Sequence, residues 1–70
     1  MYVASHQIQF VSGLTKSTRI ARKFKTPERA LRAGRDHAQG ANAQYTNVGR
    51  HIIHVTDTSG RHVATCHIAR

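Results

Sequence analysis

Six histidines, one cysteine and three carboxylates are the residues of this 70-residue chain from which a metal site or a catalytic centre would be built. The segment "HIIH" sets His51 and His54 three apart. On a helix that spacing makes neighbours. On a strand, where side chains alternate between faces, it places them on opposite sides, and one ion cannot take both. Only His51 with His62, or His54 with His67, would share a face across a hairpin. With no second cysteine or adjacent carboxylate to complete a ligand set, neither metal nor cofactor is expected. Cys66 and His67 are consecutive and point across a strand from each other, which argues against a thiolate–imidazole pair; a core cysteine is the plainer reading. Asp57 belongs to a turn, "DTSG", and Glu28 and Asp36 stand at i, i+4 spacing on either side of Arg32. No nucleophile and base fall together, so the chain is read as non-enzymatic.

Charge is the remaining chemistry. Residues 16–35, "KSTRIARKFKTPERALRAGR", hold Lys16, Arg19, Arg22, Lys23, Lys25, Arg29, Arg32 and Arg35 against the single acid Glu28. The rest of the chain has three bases and two acids, so nearly all of the formal net charge of +8 lies in this segment. A solubilising face mixes both signs, because self-repulsion weakens folding. Mixing is almost absent here, and arginine, which binds phosphate or carboxylate with two donors, outnumbers lysine. These eight residues are therefore the expected contact for the phosphates of duplex DNA or structured RNA. Two tyrosines, Tyr2 and Tyr45, make no stacking platform for single strands. The alternative is a small protein-binding module or inhibitor, of the type carried by phages and mobile elements, that docks on an acidic partner.

Elements able to position that segment are legible in the periodicities. Residues 2–11 alternate as a strand, with Ala4, His6, Ile8 and Phe10 on one face and Ser5, Gln7 and Gln9 on the other. After the turn "SGLT", a second strand is expected over residues 16–24 with Ile20 and Phe24 inward. Arg22 falls on that same face, which calls for a bulge or a side chain that reaches to the edge. Thr26 as cap, Pro27 in the first position and Glu28 at the positive end of the dipole predict a helix start. Its apolar stripe is Pro27, Leu31, Gly34, Ala38 and Ala41, mostly small, with Gly40 or Asn42 as the expected end. Arg29, Arg32 and Arg35 lie off the stripe and should join the strand-two bases in one ridge at the Thr26 turn.

The segment "HIIHVTDTSGRHVATCHIAR" reads as a hairpin closed by Asp57–Gly60. Pairing Thr56 with Arg61 puts Ile53, Val55, Ala64, Cys66 and Ile68 on one face and exposes Ile52 and Val63 on the other. The order is β-β-α-β-β, an α+β fold with one antiparallel sheet and a helix across one side.

Seventy residues with 39% hydrophobic content support one domain and a thin core. Pairing with a second copy would reinforce it, so a homodimer held by the sheet is expected. One cysteine excludes an internal disulfide, and no segment has the composition of a membrane span or a signal peptide, so the expected location is the cytoplasm.

Overall fold

The computed structural model describes residues 1–69. Its elements are β1 (Tyr2–Phe10), β2 (Thr15–Phe24), α1 (Pro27–Gln44), β3 (Val48–Asp57) and β4 (His62–Ala69). The four strands form one antiparallel sheet in the order β2-β1-β3-β4, an α+β domain as the periodicities predict. Hairpins join β1 to β2 and β3 to β4. The helix is the connection between them, and it brings β3 back beside β1 in the centre of the sheet.

Alternation places Ala4, His6 and Ile8 of β1 beneath the helix, where all three are buried. From β3, His51, Ile53 and Val55 join them. The helix meets this surface with Ala30, Gly34, Ala38 and Ala41, so its backbone lies close to the strands. The closest approach is at Gly34, where a Cβ would overlap the Ile53 side chain at Cγ2. Two apolar clusters result. Ala4, Phe24, Ala30 and Val55 form one, with Ile20 and Leu31 packed against it; Ile8, Ala41 and Val48 form the other, with Phe10 and Tyr45 alongside.

The helix starts as the sequence predicts, with Thr26 accepting a hydrogen bond from the Arg29 N–H at 3.2 Å and Pro27 in the first turn. It does not end at Gly40 or Asn42 but continues to Gln44, with Tyr45 as its extended cap. Asn42 holds a ring nitrogen of His51 rather than turning back on its own backbone, and Ala41 and Tyr45 pack on the second cluster. Those contacts favour one more turn over an early stop.

Both answers to the Arg22 problem are present. Five residues of β2, Arg19 to Lys23, lie opposite three of β1, Val3 to Ser5, which makes a bulge. The Arg22 guanidinium then lies 5.4 Å from the Phe24 ring centroid, a cation–π contact at the sheet edge.

In the second hairpin the expected faces are right and the expected register is not. Val55 pairs with Ala64 and Ile53 with Cys66, while Thr56 pairs with His62 instead of Arg61. Asp57 causes the shift. Its Oδ1 accepts from the Ser59 N–H, the Ser59 hydroxyl and the Arg61 N–H, at 2.9, 2.6 and 3.0 Å, which builds a wider turn with Gly60 at φ +92°. Those bonds, the Ser59 hydroxyl first, hold the Asp57 carboxyl below its ordinary pKa. Because the displacement of the main ladder is even, Cys66 still faces the helix. Val63 is exposed as expected, but Ile52 is only 7% exposed. Ile52 points away from the helix and is covered by its flanking cross-strand partners, Gln7 and His67.

The Gly34 contact generates a direct test. Gly34→Ala should destabilise the domain by about 1–3 kcal/mol through overpacking against Ile53, although alanine favours helix. Equal or higher stability in urea would show that the helix is not held so close.

Candidate functional site

The eight bases of residues 16–35 are divided between two surfaces. Arg19 pairs with Ser5 and Lys23 with Val3, positions whose β1 neighbours face the helix, so both project from the opposite, uncovered side of the sheet. Arg50, paired with Gln9, projects from the same side. It was not among the residues singled out from the sequence, because the signal there was density along the chain and Arg50 stands alone. Lys25 lies between β2 and α1, and Arg22 sits at the edge over Phe24.

The other four are on the helix side. Arg29 and Arg32 are exposed on α1. Arg35 leans toward β4, with its guanidinium 3.9 Å from the Cys66 sulfur. Lys16 Nζ donates to the Tyr45 hydroxyl at 2.8 Å and lies over that ring. Adjacent in sequence, the residues do not form one ridge around the Thr26 turn. The uncovered face keeps Arg19, Lys23 and Arg50 with His54 and His67 among serine, threonine and glutamine. Of the three side-chain carboxylates, Glu28 and Asp36 are helical, while Asp57, at the β3–β4 turn, lines a concavity at one end of this face together with Arg19 and Lys23.

A second polar feature crosses the core. His6 and His51 are fully buried, at 0% exposure, between the two apolar clusters. Neither partner was foreseen, since β1–β3 pairing, which makes His6 a diagonal neighbour of His51, is invisible in local spacing. His62, which the hairpin could have placed on the face of His51, contacts Thr65. His6 Nδ1 is 2.7 Å from His37 Nδ1, His6 Nε2 is 2.7 Å from His51 Nδ1, and His51 Nε2 is 2.7 Å from Asn42 Oδ1.

One arrangement of protons satisfies all three contacts with neutral rings. The amide oxygen can only accept, so His51 Nε2–H donates to Asn42. His51 Nδ1 then accepts from His6 Nε2–H, and His6 Nδ1 accepts from His37 Nδ1–H. His37 Nε2 is left as the basic nitrogen at the exposed end. A further proton fits there alone, because a second N–H on His6 would face another N–H. Burial first, and then the charges of His51 and His37, lower the His6 pKa from 6.5 to about 4.

The same geometry is unsuited to a metal. Two nitrogens bound to one tetrahedral zinc stand about 3.3 Å apart, given Zn–N bonds of about 2.05 Å. The contacts here are at hydrogen-bond distance, and His6 turns its two nitrogens to two different rings. Among the described residues, no group of three or more histidines, cysteines and carboxylates is arranged to hold an ion. No helix there is long and apolar enough to cross a membrane. No family model matches this chain, and neither a curated protein nor a solved structure matches it.

The histidine chain makes folding pH-dependent with a defined sign. Between pH 6.5 and about 4, the unfolded chain binds a proton at His6 that the native protein refuses. Stability is therefore complete above pH 6.5 and is lost as the pH falls toward 4, by an amount on the order of 3 kcal/mol from this group. Urea unfolding at intervals across that window checks it; a free energy of unfolding independent of pH would contradict the buried, neutral assignment of His6.

Proposed function

We propose that the protein is a small, non-enzymatic nucleic-acid-binding domain of the cytoplasm that grips the phosphates of duplex DNA or structured RNA. The observation that carries this reading is the uncovered sheet face, where Arg19, Lys23 and Arg50 project and three bases outnumber the one neighbouring side-chain carboxylate, Asp57, which lines a concavity with Arg19 and Lys23. Strands stand about 4.8 Å apart and rise about 3.3 Å per residue. Arg19 and Arg50 are two strands and four residues apart in the ladder, a separation of roughly 16 Å on those spacings. That is enough to reach phosphates on both sides of a duplex major groove about 12 Å wide. The serine, threonine and glutamine side chains between them add neutral donors suited to phosphate and sugar oxygens. Without a helix or aromatic set presented to bases, the contact is to the backbone and carries little sequence specificity.

The homodimer belongs to the same reading, with its contact at the free edge of β4. Lysines and arginines along β2 guard that edge against a second copy, whereas His62–Ala69 contains no Lys, Arg, Asp or Glu. Pairing β4 with its counterpart would continue the sheet and set two basic faces side by side. Sedimentation equilibrium should show a species of twice 7.8 kDa. A monomer persisting at high micromolar concentration would remove the dimer from this account.

Binding should depend steeply on salt. If Arg19, Lys23 and Arg50 each neutralise a phosphate, log affinity falls with log salt at a slope of about −3. Replacing all three with alanine should abolish most of the affinity and flatten the slope. Arg29→Ala with Arg32→Ala, on the other surface, should leave both binding and stability nearly unchanged. The reverse pattern would move the contact to the helix. Binding to acidic proteins and not to duplexes would favour the docking module instead.

A further inference from the structure

A cleft of about 440 Å³ opens between β2 and the C-terminal half of α1, on the opposite side of the sheet from the face just described. Lys16, Thr18, His37, Gln44 and Tyr45 supply its polar groups, and Ile8 and Ala41 are among its walls. No carboxylate lines it. Asp36 precedes His37 on the helix but is absent from the lining, as are Glu28 and Asp57.

We propose that this cleft binds a divalent oxyanion of the phosphate-monoester class, with Lys16 and His37 as its two cationic partners. Lys16 Nζ keeps donors beyond the one given to Tyr45, and because Tyr45 accepts that bond its own O–H is free to donate. Thr18 adds a hydroxyl and Gln44 an amide.

The histidine chain gives His37 its role. Groups facing His37 are His6 from β1, Lys16 and Thr18 from β2, and Gln44 and Tyr45 from its own end of the helix. His6 is neutral and presents a lone pair at 2.7 Å, so His37 Nδ1 carries the proton and the ring is held in place. A proton from solvent then goes to His37 Nε2, the one position in the chain that takes it without breaking a hydrogen bond. An incoming dianion makes that protonation favourable and meets two positive charges, His37 and Lys16. A phosphodiester, with one negative charge, leaves one of them unmatched. A monoester brings two charges, and the volume accommodates a substituent on the phosphate. The inference is independent of the sheet-face reading, because none of Arg19, Lys23 or Arg50 reaches this cleft.

Isothermal titration calorimetry with sodium sulfate tests it, since sulfate stays divalent through the neutral range and any proton taken up goes to the protein. Titrations at pH 7 in two buffers of different ionisation enthalpy should give one saturable site with net proton uptake. Lys16→Ala should weaken it about tenfold or more. His37→Gln, whose amide can still donate to His6 Nδ1, should bind more weakly with no proton uptake. The Arg19, Lys23 and Arg50 triple variant should bind sulfate as the parent does, whatever its affinity for duplexes. Inorganic phosphate and a nucleoside 5′-monophosphate then distinguish the source: tighter binding of the nucleotide assigns the remaining volume to a nucleotide, and equal binding assigns the site to free phosphate. Absence of saturable binding by sulfate and phosphate, unaltered affinity in Lys16→Ala, or proton uptake surviving in His37→Gln would each overturn the proposal.

Discussion

The close approach of the helix to the two central strands is the constraint on which the rest of this domain depends. Ala30, Gly34, Ala38 and Ala41 bring the helix backbone down to the sheet, so the strands must fill the interior. They do so with Ile53, Val55, His6 and His51, the largest fully buried side chains. Two of these four are imidazoles, and this explains why the core is split into two apolar clusters with a polar layer between them.

A buried imidazole is tolerated only when both ring nitrogens have partners and the ring stays neutral. The chain His37–His6–His51–Asn42 meets both demands at once, because neutral histidine offers one donor and one acceptor and can be linked head to tail. Asn42 fixes the direction at one end and solvent receives the other. The arrangement specifies the register of β1 against β3 more sharply than another aliphatic pair would, since a shift of two residues would leave buried nitrogens unpaired. It also ties stability to pH in a chain whose thin core leaves little margin.

Charge is organised by the same sheet. Two faces separate the basic residues: the covered side directs some of them over the helix and its flanking clefts, and the uncovered side holds Arg19, Lys23 and Arg50, with Asp57 beside the first two. A sequence segment rich in arginine thus becomes two surfaces of different character. One is the open face of the sheet, carrying Arg19, Lys23 and Arg50. The other is concave and small, beside a titratable ring.

Local periodicity determined the elements by itself. Alternation marked β1, Thr26 with Pro27 marked the helix start, and the "DTSG" turn marked the second hairpin, because each is a short-range preference of the backbone. The small stripe on the helix, Gly34, Ala38 and Ala41 among it, was legible in the same way. Tertiary structure decided what those strands bring together. Inserting the helix between β2 and β3 places β3 beside β1, and only that long-range pairing makes His6 and His51 neighbours, adds Arg50 to the face of Arg19 and Lys23, and covers Ile52 with Gln7 and His67. Strand order and register are set by contacts between residues tens of positions apart, whereas periodicity reports only which face a residue takes on its own strand.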